Sequence, residues 1–579
     1  MKPIYPLPAG ILALTAVLTV PALAKSPHTI AIEPISSIAA GSFLTSAAEI
    51  AAYDPVTRRT FVVNAQEASV DVITIANPQA PVLTNSIDVT PYGAVANSVA
   101  VRGGIIAVAV EAAVKTNPGK VVFFDSALAY ISDVTVGALP DMLTFTPDGR
   151  TLLVANEGEP SDELNETEDN YSADPEGSVS VIDLSKGPGR AIVRTAGFEA
   201  LNGLGRDALF NRIGSVAVIR ILGFDIALPL PTPSGDPKPA IRVFGPDSTV
   251  AQNLEPEYIT VSKDSKTAWV TLQEANALAI IDIPSASLKA LVGLGVKDHS
   301  LPANGLDASD RDGPTPPVTV PPTPNPGRIN IQNWPVHGLY LPDSIASWQD
   351  GPDTYLLLAN EGDSRDWDAY SEETRVGSMK LDPGVFPAAV ATELKKAGQL
   401  GRLKATTAQG DTAGDKVFKE IYTFGTRSFS IRDAAGHLVW DSGDQFERII
   451  EAENPSFFNS NHEINKFDDR SDDKGPEPEA IAVGRVFGRN YAFIGLERVG
   501  GVMVYDITEP TAPEFVEYVN NRDFTKAPDT AAAGDLGPEG IVFISGEDSP
   551  NGKPLLVVAN EVSGTTTFYE ISKVQAGKN

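Results

Sequence analysis

Acidic side chains recur at two positions of a unit that the sequence repeats seven times. The first position opens a predicted strand and is acidic except for one asparagine; its residues are Glu49, Asn97, Asp141, Glu257, Asp343, Glu479 and Glu539. The second position closes the next strand of the same hairpin, and its residues are Glu67, Glu111, Glu157, Glu274, Glu361, Glu497 and Glu561. Carboxylate oxygens suit hard cations such as Ca²⁺, so the pattern predicts cation binding.

The hairpin explains how these acids could meet. A hairpin returns the chain to the end of the sheet where it started, so both acids of one unit lie at the same edge. Strand-rich units that share one motif predict an all-β fold, a seven-bladed β-propeller with long inter-strand insertions, in which the first strand of each blade is innermost. Two separate β-sandwiches are the alternative, which a motif shared by every unit disfavours.

The mature chain is expected to form a single propeller over residues 25–579. Insertions at about 186–250, 285–340 and 364–425 separate or interrupt the later units, and none shows the periodicity of an independent domain. A short surface helix is predicted within 388–397. Residues 28–33 are expected to pair with the last unit and close the ring, because propellers protect their sheet edges.

The N-terminal segment and the composition limit the compartment and the partners. Residues 1–24 combine Lys2, a short apolar run and a small-residue end, which predicts a signal peptide and an exported, periplasmic or secreted chain without membrane insertion. The 579 residues include no cysteine, which excludes disulfides and thiolate metal sites. A formal net charge of −30 argues against nucleic acid as a partner.

Converging carboxylates need compensation, because like charges raise one another's pKa. We therefore expect a metal site, whose predicted ligands are Glu157, Glu257, Asp343, Glu361, Glu479, Glu497, Glu539 and Glu561. Oxygen donors favour Ca²⁺, with Mg²⁺, Mn²⁺ and Fe³⁺ as other candidates, and no histidine falls at a repeated position. The alternative is that each acid accepts hydrogen bonds from backbone amides of its own loop.

A second cation candidate is the segment 307–313. Its alternating acids Asp307, Asp310 and Asp312 precede Gly313 and resemble part of a calcium loop, although the closing glutamate is not in register. A solvated acidic loop is the alternative. Two arginines, Arg365 and Arg498, follow repeated acids and could bind an oxyanion such as phosphate, or could simply neutralise neighbouring glutamates.

Several stretches of the chain resemble the choice-of-anchor I family of exported bacterial propellers. That family is related to mesenchyme-specific cell-surface glycoproteins and to an atypical class of bacterial alkaline phosphatases. The matching stretches are residues 152–160, 174–183, 253–259, 297–302, 305–312, 359–365, 468–479 and 496–501. The resemblance implies a propeller, export from the cytoplasm and calcium-dependent hydrolysis of phosphoesters.

The leading functional hypothesis is a metal-dependent phosphoric ester hydrolase, similar to alkaline phosphatase, acting on a small phosphoester at the axial end of the propeller. The metal would polarise the phosphoryl group, and Arg365 and Arg498 would stabilise its oxygens. The rival is a non-catalytic calcium-binding propeller that serves as a cell-surface or periplasmic interaction protein. A carbohydrate-binding or carbohydrate-cleaving propeller ranks last, because no tryptophan stands at a repeated position. The sequence predicts no nucleophile and no oligomeric state.

Overall fold

A computed structural model describes residues 28–41, 43–161, 171–204, 219–221, 224–226, 241–313, 327–411 and 414–575. The signal peptide predicted over residues 1–24 lies outside these ranges. Within them the regular structure is almost entirely β-strand, with two short α-helices, Ala388–Leu394 and Gln445–Glu453. The first is the predicted surface helix. The chain is therefore an all-β protein, as the repeats predict.

The described residues form seven four-stranded antiparallel sheets, which are numbered here in chain order. Sheet I contains Ala51–Asp54, Arg59–Asn64, Ser69–Thr74 and Val82–Asp88; sheet II contains Ala96–Arg102, Ile105–Val110, Pro118–Asp125 and Tyr130–Ala138. Sheet III contains Pro140–Phe145, Thr151–Asn156, Ser178–Asp183 and Ile192–Gly197; sheet IV contains Pro256–Val261, Thr267–Leu272, Ala277–Asp282 and Ser287–Gly293.

The three remaining sheets follow the longer insertions. Sheet V contains Ile345–Asp350, Asp353–Ala359, Phe429–Asp433 and Leu438–Asp441. Sheet VI contains Pro478–Val486, Arg489–Leu496, Val502–Asp506 and Glu514–Val519. Sheet VII contains Pro538–Ile544, Leu555–Asn560 and Thr565–Gln575 together with the N-terminal strand His28–Ala39.

The first strands of the sheets form a closed ring. Each first strand contacts the first strand of the next sheet, and Pro538–Ile544 of sheet VII contacts Ala51–Asp54 of sheet I. The N-terminal strand pairs antiparallel with Thr565–Gln575, from His28 opposite Gln575 to Ala39 opposite Thr565. The predicted pairing of residues 28–33 with the last unit is thereby confirmed, and the two ends of the chain close one sheet.

Packing between sheets explains the apolar runs of the second and third strands. A strand such as Thr151–Asn156 lies in a sheet that is covered on both faces, so successive side chains are buried although they point in opposite directions. Leu153 and Val181 pack towards sheet IV, whereas Leu152 and Val154 pack towards sheet II. The core is thus divided into layers between neighbouring sheets.

The insertions carry short elements of their own. The strands are Ile219–Ile221, Phe224–Ile226, Val296–Asp298, His337–Leu339, Asp366–Trp367, Tyr370–Ser371, Glu373–Arg375, Lys380–Leu381, Lys404–Thr406, Val417–Phe418 and Tyr422–Thr423. The 3₁₀ turns within or beside them are Pro188–Arg190, Glu199–Leu204, Ala251–Asn253, Val376–Ser378 and Leu400–Arg402; two more, Pro455–Phe457 and Ala531–Ala533, lie elsewhere.

The second and third insertions share a hydrophobic core. Trp334 and Val336 from the second insertion pack with Leu400, Leu403 and Phe418 from the third. This cluster is distinct from the hydrophobic clusters between neighbouring sheets. The two insertions therefore form one joint substructure on the ring. No helix among the described residues is long and apolar enough to cross a membrane.

Candidate metal centre

Irregular pairing at the start of the first strands directs the first-position acids. The register between the first and second strands shifts at Pro140/Leu143, Pro256/Ile259, Pro478/Ile481 and Pro538/Gly540. In each case a proline precedes the acid, as Pro342 also precedes Asp343. Proline donates no ladder hydrogen bond, and a bulge re-aims the side chain that it carries. The Pro–acid dipeptide is therefore the local device that turns these carboxylates towards the centre of the ring.

A cavity of about 360 Å³ lies at this end of the ring. All seven first-position residues line it, and they are Glu49, Asn97, Asp141, Glu257, Asp343, Glu479 and Glu539. Two second-position residues, Glu361 and Glu497, line it as well. The structure thus brings the first-position side chains of all seven sheets together around one space, which we call the axial cavity.

The other second-position residues lie behind or beyond the cavity wall. Glu157, Glu274 and Glu561 are half-buried and do not line it, so two of the predicted metal ligands, Glu157 and Glu561, stand outside it. The carboxylate of Glu561 accepts a hydrogen bond from Ser46 Oγ at 2.6 Å. Glu111 is half-buried and Glu67 is exposed. The convergence of the second-position residues is therefore only partial.

Burial and mutual repulsion raise the pKa values of the carboxyl groups at the cavity. Burial, then the charges of Glu561 and Asp141, raise the pKa of Glu49 to about 8. Burial is also the main cause that raises the pKa of Asp141 to about 7. The pKa values of Glu257, Asp343, Glu479 and Glu539 lie well above their ordinary values for the same reason, with neighbouring carboxylates adding to it. Such groups either retain protons or require cations.

Three glutamates form the tightest cluster of the axial cavity. One carboxylate oxygen from each of Glu361, Glu479 and Glu497 lies within 4.8 Å of the other two, and all three residues are buried. The buried Oε2 atom of Glu479 has no hydrogen-bond partner in the described structure. Three convergent oxygens, one of them unsatisfied, suit a hard cation that takes oxygen ligands. We call this group the axial triad.

Neighbouring donors fix two members of the axial triad. Gln273 Nε2 donates to Oε2 of Glu361 at 2.7 Å, and Lys474 Nζ donates to its Oε1 at 2.7 Å. The guanidinium of Arg498 places Nη1 at 3.0 Å from Oε1 of Glu497. These contacts hold the carboxylates of Glu361 and Glu497 in place.

Glu477 neutralises much of the positive charge beside the triad. Arg470 Nη2 lies 2.7 Å from its Oε1, while Arg498 Nε and Lys474 Nζ lie 3.0 and 3.1 Å from its Oε2. Although Glu477 is fully buried, the charges of Arg470, Arg498 and Lys474 hold its pKa well below the ordinary value. These basic groups therefore form a mutually compensated network, which is the alternative considered for Arg498 in the sequence.

Arg498 is also part of a second cavity, of about 310 Å³, that adjoins the axial cavity. The two cavities share Arg498 and Asp363. Lys404, Arg470 and Lys474 line the second one opposite Glu159 and Glu274. Arg498 is thus the one predicted arginine that the structure places at the axial cavity.

The other predicted arginine, Arg365, does not line either cavity. Its side chain is 1% exposed, forms an ion pair with Glu255 and lies over the ring of Phe244 at 5.4 Å. The guanidinium is thus enclosed by protein and stands outside the lining of the axial cavity. The expectation that Arg365 stabilises a bound oxyanion therefore gains no support from its position.

Some residues of the site were not foreseen from the sequence. Gln273 and Tyr258 both line the axial cavity, and Gln273 orients Glu361. Gln273 precedes the second-position acid, where sheets III and V have Asn156 and Asn360; those asparagines donate to the backbone of their own sheets, at Ser178 and Ser428. The longer glutamine in place of asparagine was the signal available for this role.

The fold and the site together define the class: an all-β protein of β-propeller architecture with an axial cavity lined by carboxylates. A family model for the choice-of-anchor I domain matches residues 49–510. The chain belongs to the choice-of-anchor I family.

Two curated relatives match parts of the chain. Gigasin-3a of Magallana gigas is 30% identical over 184 residues, which are 30% of this chain and 64% of the relative. The mesenchyme-specific cell surface glycoprotein of Strongylocentrotus purpuratus is 26% identical over 332 residues, which are 52% of this chain and 40% of the relative. The chain therefore spans less than two thirds of the length of either relative.

Solved structures of low sequence identity also align. Kuenenia stuttgartiensis hydrazine synthase aligns with a TM-score of 0.41 at 13% identity and covers 93% of this chain and 98% of its own. The Cps50 (Swd1) β-propeller domain of Myceliophteria thermophila aligns with a TM-score of 0.40 at 7% identity, covering 93% of this chain and 100% of its own.

Proposed function

We propose that this protein is an exported, cation-binding β-propeller whose seven sheets are its seven blades, and that the axial cavity holds at least one hard cation. Ca²⁺ is the preferred ion. The observation that carries the proposal is the axial triad, in which Glu361, Glu479 and Glu497 present buried oxygens within 4.8 Å of one another and Glu479 Oε2 is unpartnered.

The donor set supports a hard ion. Among the described residues the cavity is lined by carboxylates and amides and by no histidine, although His462 Nδ1 lies 3.4 Å from Oε1 of Glu497. Ca²⁺ takes six to eight oxygen ligands. The first-position acids that line the cavity supply more than four carboxylate oxygens. Mg²⁺, Mn²⁺ and Fe³⁺ use the same donors and remain candidates.

Export is supported by the predicted signal peptide and by the name of one relative, a cell surface glycoprotein. An extracellular or periplasmic setting supplies millimolar calcium in many environments, a range in which extracellular modules bind Ca²⁺. The proposed role is therefore a calcium-stabilised interaction protein.

Calorimetric titration of Ca²⁺ into chelator-treated full-length protein tests the proposal. The wild-type chain should bind, and Glu479→Gln should weaken binding by about tenfold or more, because one charged ligand is lost. Glu451→Gln, on an exposed position of the helix Gln445–Glu453, should bind as the wild type does. Wild-type protein that binds none of Ca²⁺, Mg²⁺, Mn²⁺ or Fe³⁺ would show that protons alone satisfy the carboxyl groups.

Hydrolysis of small phosphoesters is the second candidate function, and the position of Arg498 at both cavities favours it. A bound cation would polarise a phosphoryl oxygen and activate water. Arg498 Nε already donates a hydrogen bond to Oε2 of Glu477. Arg498 would have to give up this bond to donate from Nε to a phosphoryl oxygen.

An assay with a chromogenic phosphomonoester separates the two candidates. Turnover that disappears with chelator, returns with Ca²⁺ and falls by about 10²-fold in Arg498→Gln supports the hydrolase. If the protein binds Ca²⁺ in calorimetry but hydrolyses no phosphomonoester with any of the four ions, the hydrolase is rejected and the calcium-binding interaction protein is retained.

A further inference from the structure

The acidic loop 307–313 gains no support as a second cation site. Asp307 Oδ1 accepts a hydrogen bond from the backbone N–H of Ser309 at 3.3 Å, and its Oδ2 accepts one from Asn330 N–H at 2.6 Å. Asp312 Oδ1 and Oδ2 accept from the backbone N–H and the Nε–H of Arg328, at 3.0 and 3.2 Å. Because protein donors occupy these oxygens and Asp307 is fully buried, the loop is neither a cation site nor the solvated acidic loop considered as the alternative.

An ammonium group of the chain itself binds to two residues of the second cavity, the one that adjoins the axial cavity. Glu159 and Trp367 line this second cavity. Lys115 Nζ lies 3.0 Å from Oε2 of Glu159 and sits over the ring of Trp367, 4.4 Å from its centroid. A carboxylate and an aromatic face that hold one ammonium together are the combination by which proteins recognise organic cations.

Three separate segments form this arrangement. Lys115 lies in a loop of sheet II, Glu159 follows the second strand of sheet III, and Trp367 belongs to the strand Asp366–Trp367 of the third insertion. The side chain of Lys115 is 25% exposed, and that of Glu159 is 22% exposed. Partly exposed ion pairs contribute little to stability, so another ammonium group can replace Lys115 at small cost.

The rest of the cavity wall favours a cation over an anion. Its four basic residues each form ion pairs with two or more carboxylates, and they are Lys404, Arg470, Lys474 and Arg498. By contrast, the buried Oε2 atom of Glu274 has no hydrogen-bond partner in the described structure. Asp366, also in the wall, forms no ion pair with another described residue. An anion would meet basic groups that are already paired, whereas a cation would meet unpaired carboxylate oxygens.

Glu274 and Glu159 act on the same region of the cavity. Burial raises the pKa of Glu274 to about 7 against the opposing charge of Arg365, and the charges of Asp363 and Glu159 add to the rise. A positive group between the two glutamates would relieve their repulsion.

We propose that the second cavity binds a small alkylammonium ligand, and that Lys115 occupies part of its subsite until the ligand enters. The ammonium group of the ligand would replace Lys115 Nζ between Glu159 and the face of Trp367, and Glu274 would supply a further acceptor. The site is separate from the axial triad and needs no axial ion.

Calorimetric titration of n-butylammonium, which copies the end of a lysine side chain, tests the proposal. The full-length, chelator-treated protein is titrated at pH 8, where Glu274 is ionised. Lys115→Met should bind butylammonium about tenfold more tightly than the wild type, because a competing ammonium is gone. Adding Trp367→Leu or Glu274→Gln to Lys115→Met should weaken binding by about tenfold or more.

Lys120→Met is the matched control. Lys120 belongs to the same sheet as Lys115 and pairs with Asp133 at 3.6 Å, with 38% of its side chain exposed. This variant should bind butylammonium as the wild type does. The melting temperature of each variant shows whether it is folded, and if Trp367→Leu does not fold, Glu274→Gln decides.

The opposing results are distinct. If Lys115→Met binds no more butylammonium than the wild type, Lys115 only fastens the third insertion to sheet II and the proposal is wrong. If the tripeptide Gly-Lys-Gly binds more tightly than butylammonium, the ligand is a lysine side chain of a peptide and not a free amine. Glu479→Gln should leave butylammonium binding unchanged, so failure here is separate from failure of the axial proposal. Weaker binding by Glu479→Gln would place the amine in the axial cavity instead.

Discussion

The Nζ atom of Lys474 lies 2.7 Å from Oε1 of Glu361, so a fixed ammonium group stands directly beside the axial triad. The same Nζ lies 3.0 Å from Asp363 Oδ1 and 3.1 Å from Glu477 Oε2. Although burial opposes its charge, these three carboxylates raise the pKa of Lys474 well above its ordinary value. Lys474 therefore remains positive and occupies one side of Glu361 in competition with any bound cation.

Replacing Lys474 by methionine should separate stability from cation affinity. Without Ca²⁺ the variant should lose about 3 to 5 kcal/mol of unfolding free energy, because Glu361 and Glu477 lose a buried partner. Its affinity for Ca²⁺ should rise by about tenfold, since a competing positive charge is gone. Urea unfolding in chelator and calorimetric titration measure the two effects.

The matched control for this change is Lys553→Met. Lys553 pairs with Glu570 at 2.5 Å, but its side chain is 59% exposed, and such surface pairs contribute little. Weaker Ca²⁺ binding by Lys474→Met would contradict the prediction and would mean that Lys474 orients Glu361 more than it competes.

Arg365→Gln should lower stability without changing the axial site. The substitution leaves the buried carboxylate of Glu255 without its ion-pair partner, which should cost about 3 to 5 kcal/mol of unfolding free energy. Ca²⁺ affinity, measured by titration below the melting temperature, should stay as in the wild type. If the variant has normal stability but binds Ca²⁺ or a phosphomonoester poorly, Arg365 contributes to the functional site.

The first-position acids could be predicted from the sequence because the same hairpin recurs in each unit. A hairpin returns the chain to one edge in each unit, and in five units a Pro–acid dipeptide at the strand start turns the side chain inward. Glu49 and Asn97 follow alanines and line the same cavity. Glu67 shows where this reasoning fails. It lies in the turn between Arg59–Asn64 and Ser69–Thr74, three residues after the strand ends, and is exposed.

Contacts between distant segments could not be predicted in the same way. Glu255, the partner of Arg365, lies 110 residues earlier in the chain. Lys115, Glu159 and Trp367 belong to three segments that no periodicity relates. The shared core of the two insertions comes from loops, 3₁₀ turns and strands of two or three residues, such as Lys380–Leu381 and Val417–Phe418, which are too short to show a pattern.

Glu517 predicts a pH dependence of stability. Its Oε1 accepts a hydrogen bond from the backbone N–H of Ile32 at 2.6 Å, which links sheet VI to the N-terminal strand. Burial raises the pKa of Glu517 in the folded protein to about 7 from an ordinary value of 4.5. The folded state then binds the proton more tightly than the unfolded state, so this group lowers stability as the pH rises from about 4.5 to about 7.

Glu517→Gln should remove that contribution and flatten the pH profile. Allowing for solvent around this partly exposed group, the difference between pH 5 and pH 8 should be on the order of 1 kcal/mol. Denaturant unfolding at both pH values measures it, with the exposed Glu514→Gln as a control. Equal slopes for wild type and Glu517→Gln over this range would contradict the assignment.

Ile32→Ala should test how far the N-terminal strand holds the ring closed. Ile32 is 3% exposed and packs with Phe493 and Leu556 between sheets VI and VII, so truncation should cost about 2 to 5 kcal/mol. Glu33→Ala changes the neighbouring, exposed side chain and should cost far less. Because Thr565–Gln575 would become an unprotected edge once the strand frays, the Ile32 variant should also associate at high concentration, which light scattering detects. A variant that is as stable and as monodisperse as the wild type would mean that the remaining three strands of sheet VII suffice to complete the ring.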